Sequence, residues 1–142
     1  MLPITEQEIQ LNVSVNTPEE AIAYTGSLLV AANKITQNYV DAMIDNFHTI
    51  GPYFVIAPHI AIPHARPENG VLEQCMSLVR LKEPIAFGHP HNDKVSLVIA
   101  IGGVDTDFHL EMLRDLSIFL SNQTTLNTIM TCSHASDITK LL

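Results

Sequence analysis

Apolar and polar positions along this chain change period several times, and each change marks an element. In "NTPEEAIAYTGSLLVAANKI" the apolar residues recur at helical spacing. Thr17 stands as a cap, Pro18 falls in the first turn, and Glu20 completes a capping box three residues on. A helix is predicted from about 18 to 32. In "TQNYVDAMIDNFHT", Val40, Met43, Ile44 and Phe47 share one helical face, and Gly51 and Pro52 end the run. Three segments then read as strands: "YFVIA" at 53–57, "QCMSLVRL" at 74–81 and "VSLVIAIG" at 95–102. The last is apolar on both faces, as a central strand covered from both sides must be. "RPENG" and "EPIAFGHPHND" read as the loops between them.

Beyond residue 102 the period returns to that of a helix. In "DTDFHLEMLRDLSIFLSN", His109, Leu113, Leu116 and Leu120 fall along one side, with Asp105 or Asp107 available as a cap. Two short helices, "TTLNTIMT" and "SDITKLL", finish the chain. Helices before, between and after apolar strands define an α/β domain with a mixed sheet. At 142 residues the chain fits one domain, with no repeat or linker.

Composition narrows the function. A formal charge of -8, spread along the chain, argues against nucleic acid and suits a partner with positive charge. The longest apolar runs are about half of what a bilayer crossing needs. Cys75 and Cys132 lie far apart without a CxxC pair, and no secretory leader is read, so a cytoplasmic protein is expected, with Cys75 a buried free thiol.

The candidate chemistry lies in the histidines. His64 follows an apolar run and is held between Pro63 and "ARPENG"; His109 sits in the first turn of the helix after the central strand. Such strand ends and helix starts are where α/β proteins place anionic ligands. A neutral imidazole attacks phosphorus when one nitrogen is free and the other gives its proton to a fixed acceptor. A second imidazole and the Arg66 guanidinium would stabilise the transferring oxygens. Against this stand a surface role for His64, a packing role for His109, and an Arg66–Glu68 surface pair. His59, His64, His89 and His91 could also converge on a metal, but their spacing matches no zinc motif, so neither metal nor cofactor is expected.

"GPYFVIAPHIAIPHARPENGV", with its "AIPHA" core and the downstream "HLEML" helix, resembles the mannitol/fructose-type enzyme IIA domains of the bacterial phosphoenolpyruvate-dependent sugar phosphotransferase system (PTS), ascorbate-type members above all. Similarity also runs through "AIAYTGSLLV", "YVDAMI" and "AFGHPHNDKVSLVIAIGGVDTDFHLEMLRDLSIFL". The resemblance implies a single EIIA type-2-like domain over 1–142, folded as a mixed five-stranded sheet flanked by helices on both faces. It implies a phosphocarrier that takes a phosphoryl group from the phosphohistidine of HPr on His64 and passes it to a cysteine of an enzyme IIB partner, with transport itself in a membrane enzyme IIC. His109 matches the family's second active-site histidine. Where mannitol-type relatives carry an arginine after the second helix's "YVEGM"-like segment, this chain has Asn46, and Arg66 is the cation left to serve. The alternatives are a regulatory interaction module of the same fold and, more remotely, a metal-dependent hydrolase. Both a monomer and a homodimer fit the sequence.

Overall fold

The computed structural model describes residues 2–142. Helix α1 spans Pro18–Ala31 and opens as the sequence predicts: the Thr17 hydroxyl accepts the Glu20 amide at 3.1 Å. The Glu20 carboxylate reaches back one residue further than a capping box requires, accepting from the Asn16 amide at 3.0 Å. Helix α2 spans Gln37–Ile50 and stops at Gly51, whose φ of +93° favours glycine. The remaining helices are α3 (Thr106–Ser121), α4 (Gln123–Thr131) and α5 (Ala135–Thr139).

The sheet corrects the expected fold. It has four strands, not five: β1 (Ile9–Val13), β2 (Ile60–Ala61), β3 (Cys75–Ile85) and β4 (Val95–Gly102), in spatial order β1-β3-β4-β2. The central pair β3 and β4 is antiparallel, with Leu78 opposite Ile99. Each edge strand runs parallel to its neighbour.

The predicted strand at 53–57 accounts for one difference, since Pro52 and Pro58 bracket that segment and it folds into a turn closed by the Val55 amide on the Pro52 carbonyl. Its apolar character serves the core instead. Phe54 and Val55 are buried, and the Phe54 ring meets Phe47 and Phe87 edge-on at 5.8 and 5.9 Å. The strand itself starts after His59, which takes a left-handed φ of 70°, and is only two residues long because Pro63 soon removes a donor. Two further differences lie elsewhere: β1, whose "IQLNV" alternates buried and exposed positions, is absent from the sequence-based map, and β3 runs on through Glu83–Ile85, expected as loop.

Alternation along the central strands gives the molecule two apolar layers. Val98, Ala100, Cys75 and Val79 face α1 and α2, together with Ala21, Leu29, Tyr39 and Met43. Leu97, Ile99, Ile101, Met76 and Leu78 face the other way, onto Met112 and Leu116 of α3, Ile129 of α4 and Ile138 of α5. Both faces of β4 are therefore covered, as its apolar run from Leu97 to Ile101 predicts. Among the described residues, no helix is long and apolar enough to cross a membrane.

Candidate functional site

The ends of β2 and β4 bring the two singled-out histidines together. His64 stands three residues beyond β2, and His109 stands in the first turn of α3, whose start is fixed by the Asp105 carboxylate accepting the Phe108 amide at 2.9 Å. The turn from β4 into α3 passes through Gly103 at very close quarters: a Cβ there would lie 2.6 Å from the His109 Cα, so only glycine fits. The ring centroids of His64 and His109 are 5.0 Å apart and tilted by 56°. Residues 45 positions apart in sequence thus meet, as the phosphoryl-handling reading requires.

Around the pair is a pocket of about 260 Å3 lined by Asn46, Tyr53, His64, Arg66, Thr106 and His109, among others. His64 Nδ1 lies 2.8 Å from the Ile62 carbonyl oxygen, which can only accept, so the proton sits on Nδ1 and Nε2 keeps its lone pair. Burial holds the His64 pKa below its ordinary value, against the opposing pull of that carbonyl. The His109 pKa is lowered too, first by burial and then by the neighbouring His64. Two neutral imidazoles therefore face one small cavity. His109 Nδ1 is buried without a hydrogen-bond partner among the described residues, and an orphaned polar atom at such a place is characteristic of a site that completes itself with a ligand.

Tyr53 is the residue that sequence reasoning missed. Its ring stands edge-on to His64, with centroids 5.6 Å apart and planes at 81°, and its hydroxyl donates to the His64 carbonyl at 3.2 Å. Burial raises the phenol pKa while a hydrogen bond with Asn46 opposes the rise. The signal was present in "GPY", an aromatic placed directly after a helix stop and eleven residues before the histidine, but its alternation with Phe54 disguised it as strand. Asn46 reaches the pocket where the expected arginine is missing. Arg66 is also there, exposed, and forms no ion pair with Glu68 or any other described residue.

The other candidates lie elsewhere. His59 is exposed with Nδ1 2.8 Å from the Lys94 carbonyl, at the edge of a larger, mainly apolar cavity of about 550 Å3 beside α3 and α4. His89 and His91 pair with each other in the β3–β4 loop, 6.2 Å apart. Among the described residues, no three His, Cys, Asp or Glu side chains are grouped to hold a metal. Both thiols are free and outside the pocket; Cys75 is fully buried, and burial pushes its pKa up to about 12.

Fold and paired imidazoles in one small pocket mark a phosphotransferase-type α/β domain. The chain belongs to the family described as phosphoenolpyruvate-dependent sugar phosphotransferase system, EIIA 2, whose model matches residues 3–142, and it is an EIIA component of that system, with a function in sugar transport. It is 36% identical over 135 residues to the ascorbate-specific PTS system EIIA component of Salmonella typhimurium, covering 94% of this chain and 88% of that one. It superposes on the mannitol-specific cryptic phosphotransferase enzyme IIA of Escherichia coli with a TM-score of 0.86 and 31% identity, over 97% of this chain and 93% of the other. A TM-score of 0.86 at 24% identity, over 99% and 97% of the two chains, relates its fold to enzyme IIA in the Escherichia coli complex of mannitol enzyme IIA with phosphorylated enzyme IIB.

These findings support a phosphocarrier of the mannitol/ascorbate family. They correct the more detailed route expected from the sequence, in which His64 itself carries the phosphoryl group from HPr to an enzyme IIB cysteine. The description that the family match and the relatives share, a phosphocarrier of the mannitol/ascorbate family, replaces that route.

Proposed function

We propose that the pocket of His64, His109 and Arg66 is where this EIIA component engages the phosphoryl group in its exchange with PTS partners. The observation that carries the reading is the pair of neutral imidazoles 5.0 Å apart in one small pocket, one with a fixed tautomer and the other with a buried, unpartnered nitrogen. In such a place His109 contacts the phosphoryl oxygens, Arg66, free of any acidic partner, offsets their charge, and His64 turns the free Nε2 toward the pocket. The partners are an enzyme IIB of the mannitol/ascorbate class and HPr, with a membrane enzyme IIC coupled through IIB; the working compartment is the cytoplasm. Val104, Phe108 and Leu110, neighbours of His109 in the chain, are exposed and give a partner an apolar footing beside the pocket. The net charge of -8 favours a basic partner face and makes encounter faster at low salt.

The test is exchange of labelled phosphate between the purified chain and a phosphorylated enzyme IIB of this class, followed in single turnover. His64→Ala, still folded, should lose exchange by about 10³-fold, the upper end of what one preorganised group contributes. Exchange at the native rate in that variant would remove the pocket from the mechanism.

A further inference from the structure

Tyr39 is wholly buried in the layer between α2 and the sheet, yet its hydroxyl is not merely satisfied. It accepts the Ala65 amide at 3.0 Å and donates to the Ile101 carbonyl at 2.7 Å, with the Ala65 carbonyl at 3.3 Å as the weaker alternative acceptor. Those two backbone groups belong to the two segments that make the site. Ala65 is the residue after His64. Ile101 lies two residues before Gly103, whose backbone presses on that of His109 too closely for any Cβ. The Ile101 amide also reaches back to the Pro63 carbonyl, at 3.3 Å.

A phenol that only filled space in this layer would need one partner for its oxygen, and either segment alone could supply it. Tyr39 instead clamps one to the other, and α2, a 14-residue helix packed on the sheet, holds the clamp still. We propose that Tyr39 is a positioning residue whose hydroxyl sets the separation and tilt of the His64 and His109 rings. Its effect on phosphoryl exchange rests on the function proposed above, whereas its effect on the rings does not. An error of about 1 Å in such a constellation costs on the order of 10²-fold in rate.

The experiment uses the full chain with Tyr39→Phe, which keeps the ring and removes only the oxygen, and Tyr24→Phe as a control on a partly exposed tyrosine. Imidazole nitrogen resonances of His64 and His109 should both move in Tyr39→Phe and stay put in the control. Single-turnover exchange should fall roughly 10- to 100-fold, with binding of the partner unchanged. Native ring signals and a native rate in the folded variant overturn the proposal, even if the variant is less stable, because loss of stability alone marks a structural hydroxyl. Ring signals that move while the native protein exchanges no phosphate at all support the positioning role and sink the proposed function instead. Should Tyr39→Phe fail to fold, 3-fluorotyrosine placed at 39 keeps the hydroxyl but weakens it as an acceptor. The Ala65 amide, His64 and His109 signals should then shift together; an Ala65 shift with both imidazoles unmoved overturns the proposal.

Discussion

Two pairs of histidines on this molecule, His64 with His109 and His89 with His91, show what turns an imidazole into a reagent. In "IPHARP" the His64 Nδ1–H is given to the Ile62 carbonyl, so a lone pair is left on Nε2. In "GHPHND" the arrangement is reversed: His89 Nδ1 accepts the His91 and Asn92 amides at 3.1 and 3.0 Å, spending its lone pair on the loop. Both rings have an imidazole neighbour. His64 shares a pocket with its neighbour, and burial there lowers the pKa of both rings. Tautomer and enclosure, not histidine density, separate chemistry from loop construction.

After His64→Ala, the largest break in this contrast should come from His109→Ala. Losing one preorganised donor to the phosphoryl oxygens costs about 10²–10³ in rate, roughly 2.7–4 kcal/mol. Little of the core rests on this first-turn side chain, so denaturant unfolding should hardly change. Arg66→Ala should follow with a smaller loss, since the guanidinium is exposed and screened by salt. A folded His109→Ala chain exchanging phosphate at the native rate would return His109 to a packing role.

Acid should sharpen the same contrast through stability. The pKa values of His64 and His109 lie below the ordinary value of 6.5 in the folded protein, so between that value and the lowered ones the unfolded chain binds more protons. Their contribution is full above about pH 6.5 and is lost as pH falls through the window beneath it. The unfolding free energy of the native chain should therefore drop more steeply on acidification than that of a His64→Ala/His109→Ala double variant. Parallel pH profiles for the two proteins would count against buried neutral imidazoles.

Much of this arrangement was legible from the chain, and the failures have physical causes. Caps and period gave α1, α2 and α3, because Thr17, the Gly51–Pro52 stop and Asp105 act locally. The double-sided apolar run of β4 likewise announced its central place. The fold of "YFVIA" was not legible: a run buried on account of Phe54 and Val55 looks the same whether it is paired or turned, and the prolines at 52 and 58 decided for the turn. His64 and His109 could be named from their positions at a strand end and a helix start. That they face each other across 5.0 Å depends on Gly103 and on a phenol from α2, contacts that no local pattern encodes.

The smallest expected effect is the one that isolates the comparison. His89→Ala removes an acceptor from two backbone amides, at 91 and 92, in a loop that also anchors the turn before β2: the Asn92 side chain donates to the Val55 carbonyl at 3.0 Å, and the His59 amide donates to the Asn92 carbonyl at 2.9 Å. The loss should appear as reduced stability of about 0.5–1.5 kcal/mol, the net worth of an ordinary hydrogen bond, because solvent can reach much of the loop and replace part of what is removed. Phosphoryl exchange should stay within twofold or so of native, since neither His89 nor His91 lines the pocket of His64. Unfolding and single-turnover exchange measured on the same preparation separate the two readings. A variant that keeps its stability but loses exchange would show that the second histidine group also takes part in the chemistry, and that its reversed tautomer does not mark it as loop construction.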